Sequence, residues 1–132
     1  SQFIKPCSDK ETDRLRSFCE NFLTQYVAYT SGKYKNQVEY GYGKLKPYIK
    51  SGSDIDKRMV AAQDGIYYAH SPATISSAWL NNATRLTEGV YLCEVGYSAS
   101  AQTPRGYEEV SVDMKLIIEE NNGDLRVVKE DR

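Results

Sequence analysis

The sequence predicts an α+β domain, with helices in the first half of the chain and an antiparallel sheet in the second. Two changes of pattern carry this prediction. Apolar residues recur at helical spacing between Ser8 and Tyr29, whereas from Ala73 onward they alternate along segments rich in β-branched and aromatic residues. With 132 residues the chain is long enough for one hydrophobic core, so we expect a single domain spanning residues 1–132.

The first helix has the clearest signals at its start. Ser8 and Glu11 form a capping-box pattern, in which each side chain satisfies a backbone N–H that the helix leaves free. Gly32 is expected to end the helix. The apolar residues of its one hydrophobic face are Leu15, Phe18, Cys19, Phe22, Leu23, Tyr26 and Val27. Because no second helix of similar length follows, we expect this face to pack against the sheet.

Shorter helical pieces follow the first helix. Residues 33–40 can form a short helix or an irregular loop, because Gly41 and Gly43 weaken a long helix there. A further short helix is predicted over residues 55–62, with Asp54 as its cap. Between them, the stretch KLKPYIKSG predicts a helical turn whose inward-facing residues are Leu45, Tyr48 and Ile49.

The second half predicts a sheet of about four strands. The segments are ATISSAWLNNATRL, GVYLCEVGYSASA, YEEVSVDMKLIIEE and LRVVK. The stretch NNGD at residues 121–124 predicts a tight hairpin turn, and SAQTPRG predicts a longer loop or a hairpin connection. A curved antiparallel sheet wrapped around an N-terminal helix is the cone of the NTF2-like fold. We therefore predict an NTF2-like cone, filled by the long helix.

Charge and composition exclude several classes of function. Seventeen basic and eighteen acidic residues give a net charge of −1, which offers no electrostatic support for binding nucleic acid directly. Hydrophobic residues make up 40% of the chain and charged residues 27%, as in an ordinary globular domain. No stretch is apolar for the length that a membrane helix needs. If the protein is held at a membrane, we expect the anchor to lie upstream of this chain.

The sequence contains no reaction centre. Motifs for phosphate loops, zinc proteases and nucleophile elbows are absent, and His70 has no identifiable partner to orient it. Glu94 and Asp113 are the available mid-strand acids, and their alternation with apolar residues places both on the outer face of the sheet. No zinc spacing occurs; one disulfide is compatible with the sequence, but free thiols are favoured for Cys7, Cys19 and Cys93. We expect no catalytic residue, cofactor or metal.

Four stretches carry a resemblance to a known family: RLRSFCENFLTQYVAY, GKLKPYIKSGSDID, VYLCEVGYSA and VSVDMKLIIEENNGDLRVV. In that family a long amphipathic helix precedes a short segment of the leucine-x-proline-tyrosine-leucine kind, represented here by Leu45, Pro47, Tyr48 and Ile49. From Ser8 to Val128 the chain thus resembles the extracytoplasmic NTF2-like domains of conjugative-transfer proteins of the VirB-eight-like and TcpC-like type.

The resemblance implies a non-enzymatic scaffold of a type IV secretion apparatus, which moves DNA between cells. It implies an upstream membrane helix, a position on the extracytoplasmic face of the bacterial cell membrane in a Gram-positive envelope, other secretion-channel proteins as partners, and weak self-association. We predict that Tyr40, Tyr42 and Tyr48 contact a partner, because tyrosine suits half-exposed binding surfaces. The alternative is a small-molecule-binding NTF2-like protein or enzyme, which requires an enclosed cavity lined by a tyrosine and an acid.

Overall fold

The computed structural model of the protein describes residues 4–31, 35–63 and 73–131. Helices occupy the first half of the chain and long strands the second, which confirms the predicted α+β class. The elements are β1 (Lys5–Pro6), α1 (Asp9–Thr30), α2 (Lys35–Leu45), a 3-10 turn (Lys46–Tyr48), α3 (Asp54–Ala61), β2 (Ala73–Thr87), β3 (Val90–Thr103), β4 (Gly106–Asn121) and β5 (Asp124–Asp131).

Helix α1 begins with the predicted capping box. The Oγ of Ser8 accepts a hydrogen bond from the N–H of Glu11 at 3.2 Å, and the N–H of Ser8 donates to Oε1 of Glu11 at 3.0 Å. The helix ends at Thr30, and the N–H of Ser31 closes its last turn. The predicted role of Gly32 lies outside the described residues.

The described part of the chain forms one sheet of five strands in the order β1-β2-β3-β4-β5, all antiparallel. The prediction of about four strands missed β1, whose two residues pair Lys5 with Arg85 and Pro6 with Thr84. Two residues are too few to show a strand period, so this strand exists only through its pairing with β2. Register shifts along β2 mark bulges, which bend the sheet around α1.

Both hairpins of the last three strands have tight turns. Asn122 and Gly123 connect β4 to β5 with φ of 53° and 86°, the positive angles that an Asn-Gly turn adopts, and this confirms the turn predicted there. The connection between β3 and β4 is a hairpin and not a longer loop, since pairing continues to Thr103 and Gly106. Only Pro104 and Arg105 lie between those strands.

The core lies between α1 and the concave face of the sheet. Phe22, Leu23 and Cys19 of α1 are fully buried, and α1 packs mainly on β2. The inward residues of β3 alternate along the strand and leave Glu94 on the other face: Tyr91, Cys93, Val95, Tyr97 and Ala99. Met114, Leu116 and Ile118 continue the same face on β4. The long helix therefore fills the cone, as predicted.

Helix α2 runs through both glycines that were expected to weaken it. A Cβ on Gly41 would lie 3.2 Å from the Cα of Tyr29, so the absence of a side chain lets α2 approach α1 closely. Nothing lies within 4 Å of a Cβ on Gly43. Close packing between the two helices thus outweighs the low helix propensity of Gly41.

Helix α3 begins one residue before the predicted start, and its cap differs from the prediction. Ser53, and not Asp54, is the N-cap, and its Oγ accepts a hydrogen bond from the N–H of Asp56 at 3.4 Å. Asp54 and Asp56 instead place negative charge in the first turn, at the positive end of the helix dipole. Ser53 followed three residues later by an acid is a capping pattern that the sequence already contained.

Candidate functional site

Two of the three predicted partner-contact tyrosines, Tyr40 and Tyr48, differ in exposure. Tyr40 on α2 is 68% exposed, and the Nζ of Lys44 lies 5.5 Å from the centroid of its ring. Tyr48 is half-buried, with its ring centroid 5.7 Å from that of Phe18 on α1. Tyr40 is thus free to contact a partner, whereas Tyr48 also belongs to the packing between the 3-10 turn and α1.

Tyr42, the third predicted residue, links α2 to α3. Its hydroxyl donates to Oδ1 of Asp56 at 2.6 Å, and the N–H of Gly52 donates to Oδ2 of the same carboxylate at 2.9 Å. These two bonds, that of Tyr42 first, hold the pKa of Asp56 below its ordinary value. The bond to Asp56, reinforced by burial, raises the pKa of Tyr42 to about 12. The role of the three tyrosines in partner binding stays a prediction.

The mid-strand acids lie on the outer face of the sheet, as predicted. Glu94 accepts a hydrogen bond from Nδ2 of Asn82 at 3.0 Å and stands opposite Lys115 on β4. Asp113 is exposed and stands opposite Gly96. Because their neighbours along the strands point into the core, neither carboxylate reaches the interior of the cone. They cannot form there the acid pair that an enclosed catalytic site would use.

A small cavity lies beside the first turn of α1. Its volume is about 140 Å³, and its lining residues are Lys10, Glu11, Arg14, Leu15, Tyr91 and Leu125. The hydroxyl of Tyr91 donates to Oε2 of Glu11 at 3.2 Å, which is a tyrosine and an acid in contact. The pKa of Glu11 is lowered, mainly by its bond from the Ser8 N–H, and burial raises the pKa of Tyr91. Arg14 bonds to Glu120 beside the cavity.

This pair of Glu11 and Tyr91 is a feature that the sequence analysis missed. Each residue was assigned a local role, as the capping acid or as an inward strand residue, and the two are 80 positions apart. The cavity has the chemistry that the small-molecule alternative requires. Its volume, however, is below the roughly 300–1,000 Å³ of pockets that hold drug-sized ligands.

Arg58 and Glu130 form an ion pair that connects α3 to β5. The side chain of Glu130 is only 3% exposed, whereas that of Arg58 is 53% exposed. Tyr26 and Met59 lie beside the pair along an open groove. A buried carboxylate costs free energy unless a cation or hydrogen-bond donors compensate its charge, so this contact fixes the end of β5 against α3.

The cysteines are free thiols, as favoured above. Cys19 and Cys93 are fully buried, and a hydrogen bond between their side chains together with burial raises the pKa of Cys19 far above its ordinary value. Burial likewise raises the pKa of Cys7. A high pKa keeps the buried thiol of Cys19 protonated and unreactive, so Cys19 is a structural residue of the core. Residues 4–31, 35–63 and 73–131 contain no cluster of His, Cys, Asp or Glu that could hold a metal ion. His70 lies outside the described residues.

Within the described ranges, no helix combines the length and the apolar character needed to cross a membrane.

No family model matches the chain, and no curated protein matches it. Solved structures do. One is described as an NTF2-like protein involved in plasmid conjugation, with a TM-score of 0.61 and 12% identity over 89% of this chain and 47% of that chain. The fold is NTF2-like. Because the chain spans about half the length of that protein, the likeness concerns one part of it.

Two further structures share the fold over nearly their whole length. The intermembrane-space region of the chloroplast protein ARC6 has a TM-score of 0.60 and 11% identity, covering 95% of this chain and 96% of that chain. A periplasmic fragment of TraM has a TM-score of 0.53 and 12% identity, covering 94% and 96%. The TM-scores establish a common fold, and identities this low do not transfer function.

Proposed function

We propose that this protein is a non-enzymatic scaffold of a type IV secretion apparatus for conjugative DNA transfer. The observation that carries the proposal is the likeness of its fold to an NTF2-like protein involved in plasmid conjugation. A second structure of the same fold comes from a periplasmic fragment of TraM. On this proposal the domain stands on the extracytoplasmic face of the cell membrane and binds other channel proteins.

The short motif that suggested the family supports the finer proposal of a VirB-eight-like or TcpC-like protein. Leu45 and Ile49 are buried, and Ile49 forms a parallel bridge to Val127 on β5. Tyr48 packs on Phe18. The motif thus packs the end of α2 against the sheet through Ile49 and against α1 through Tyr48. A Gram-positive envelope and an anchor upstream of the chain belong to the same proposal.

The distribution of polar groups favours binding over catalysis. Apolar side chains of α1 occupy the concave face of the sheet, where other folds of this shape can hold a ligand. Glu94 and Asp113 point outward. Glu130, a buried acid on β5, is paired with Arg58 of α3. Function then depends on the outer surface.

Membrane fractionation, followed by protease digestion of intact cells, tests the proposal with the full-length native protein. We expect the protein to pellet with membranes and this domain to be cleaved from outside. A cytoplasmic protein followed in the same cells should stay intact, which controls for lysis. If the protein is soluble and protected inside the cell, the secretion proposal is wrong, and a cavity-binding protein becomes the leading account.

The predicted contact residues can be tested by partner capture. Tyr40→Ala should weaken capture of a channel partner about tenfold and leave the melting temperature unchanged, because the ring is exposed. Val60→Ala removes another exposed apolar side chain, on α3, and serves as the matched control. Equal capture by Tyr40→Ala and the wild type would show that α2 does not contact the partner.

The contact between Tyr91 and Glu11 favours the small-molecule alternative and makes it testable. If the cavity is a binding site, small apolar ligands should raise the melting temperature of the wild type. Leu15→Phe would fill part of the cavity and should abolish this rise while the protein remains folded. Absence of any ligand-dependent rise removes the alternative, and the scaffold proposal is unaffected.

A further inference from the structure

Strand β4 has a long edge that no described strand covers. It pairs with β3 from Gly106 to Glu119, but β5 pairs with it only from Lys115 to Asn121. Residues 106–114 therefore have a strand partner on one side only within the described ranges. Alternate residues of such a stretch direct backbone N–H and C=O groups away from the sheet, where they are available to another strand.

This edge is regular, in contrast to the other edges of the sheet. The pairing of β3 with the 106–114 stretch contains no register shift. Beyond β1, the open edge of β2 is interrupted by shifts between Ile75 and Ser77 and between Leu80 and Asn82. The outer edge of β5 is bridged by Ile49. A straight ladder is what an added strand needs, because a bulge breaks the pairing register.

Some of the usual devices that protect an edge strand are absent from residues 106–114. The stretch GYEEVSVDM has no lysine, proline or bulge, and it is protected only by the acidic side chains of Glu108, Glu109 and Asp113. It also displays two large apolar side chains, Tyr107 at 73% exposure and Val110 at 37%. An edge that has apolar side chains and is protected only by carboxylates remains open to an added strand of opposite charge.

The charges on the edge specify the occupant. Glu108, Glu109 and Asp113 are acidic, and no basic residue occurs between Gly106 and Met114. Pairing this edge with the same edge of a second copy would bring two acidic stretches together, which like-charge repulsion disfavours. A basic strand is complementary to it.

The two faces of β4 define the pattern that such a strand needs. Val110 and Val112 stand opposite Ala99 and Tyr97, which are buried, so they belong to the concave face. Glu109, Ser111 and Asp113 alternate with them on the outer face. Since paired strands share faces, the complementary segment carries apolar residues on the concave side and Lys or Arg on the outer side.

We propose that residues 106–114 of β4 bind an extended basic segment of a partner protein as a sixth, antiparallel strand of the sheet. The proposal deepens the scaffold function, and it rests on that function in taking the partner to be a protein. Main-chain hydrogen bonds supply the affinity, and the carboxylates of Glu109 and Asp113 select a basic partner.

The test uses residues 1–132, labelled for NMR, and a synthetic peptide of about nine residues in which lysine and valine alternate. We expect binding with slowed amide exchange at alternate residues between Tyr107 and Asp113. We also expect affinity to fall about tenfold between roughly 50 mM and 500 mM salt. The same peptide with glutamate in place of lysine should bind at least about tenfold more weakly. Equal binding of the two peptides, or protection elsewhere in the chain, overturns the proposal.

Variants locate the site. Glu109→Gln with Asp113→Asn should lower the affinity for the lysine peptide about fivefold or more, and charge reversal to lysine at both positions should lower it further. Glu88→Lys, in the turn at the opposite end of β3, makes a similar charge change away from the edge and should leave binding nearly unchanged. Thermal melting verifies that each variant is folded. Equal losses at both places refute the site.

Self-association provides a separate outcome. If the same amides become protected with rising protein concentration and no peptide, a second copy is the occupant, and the basic-partner proposal is overturned. None of these results bears on where the native protein resides in the cell. A failed peptide titration therefore leaves the scaffold function standing, and a cytoplasmic location leaves the peptide result intact.

Discussion

The two glycines of α2 make a matched pair for measuring how closely the helices pack. Alanine in place of glycine inside a helix gains about 0.5–1 kcal/mol from backbone conformational entropy. At Gly43 nothing lies within 4 Å of the new Cβ, so Gly43→Ala should gain all of this. At Gly41 the same gain competes with a contact to the backbone of α1.

The contact at Gly41 sets the expected cost. The new Cβ would lie 3.2 Å from Cα and 3.4 Å from Cδ1 of Tyr29, inside the roughly 3.5–4.0 Å at which carbon atoms attract. Tyr29 is fully buried, so neither its backbone nor its ring can move aside freely. Overpacking of this kind costs about 1–3 kcal/mol. Gly41→Ala should therefore be less stable than Gly43→Ala by about that amount, since the entropy term is common to both.

Urea denaturation followed by far-UV circular dichroism and by the fluorescence of Trp79 gives the free energy of unfolding for both variants. Val38 and Leu45 of α2 are in the core, so loosening of this helix should lower the free energy of unfolding of the whole domain. If Gly41→Ala and Gly43→Ala are equally stabilised, the close approach of α2 to α1 is wrong, and α2 lies further from Tyr29.

Two further predictions concern polar contacts between elements. Arg58→Ala should lower the free energy of unfolding by about 1–3 kcal/mol in urea denaturation, because the Glu130 carboxylate stays buried. In a protein that already carries Glu130→Gln, the same substitution should cost clearly less. Equal costs in the two backgrounds would contradict the ion pair. Tyr42→Phe should cost most near neutral pH. The lowered pKa of Asp56 gives stability that is lost as pH falls through that pKa. The raised pKa of Tyr42 gives stability that is lost as pH rises from 10.0 to about 12. The melting temperatures of Tyr42→Phe and the wild type should therefore converge at both extremes of pH. A difference that is constant with pH would refute the bond.

The parts of the fold that were predicted correctly depend on local signals. Ser8 and Glu11 are three residues apart, so the start of α1 can be identified from a short stretch of sequence. The Asn122–Gly123 turn is equally local, because its positive φ angles select those residues. Period located β2, β3 and β4, and the alternation placed Glu94 of β3 and Asp113 of β4 on the outer face.

The errors concern elements whose formation depends on contacts with residues far away in the sequence. Strand β1 has no signal of its own and is defined by its backbone pairing with Thr84 and Arg85 of β2. The continuation of α2 through Gly41 depends on Tyr29, a residue of another helix. The N-cap of α3 is a different case, because the sequence contains the capping pattern at Ser53, whereas the cap was predicted at the neighbouring Asp54.

The candidate sites were less predictable than the fold for the same reason. No local sequence pattern predicts the contact between Tyr42 and Asp56 or that between Tyr91 and Glu11, because each pair joins separate elements. Composition shows that tyrosine is unusually frequent, with 11 residues, but it does not show which tyrosine rings are exposed to solvent. Tyr40 alone of the three predicted residues is largely exposed.

The position of α1 in the sheet stabilises the closed cone. Withdrawal of α1 from the concave face would expose the apolar side chains that it covers there, mainly on β2, at a cost of about 25 cal/mol per Å². Phe22 and Leu23 of α1 are instead fully buried there, and they stabilise the closed cone. On the scaffold proposal, partners bind at the outer surface, where residues 106–114 of β4 have a strand partner on one side only within the described ranges. The same proposal gives the NTF2-like fold the role of presenting that acidic edge to a partner.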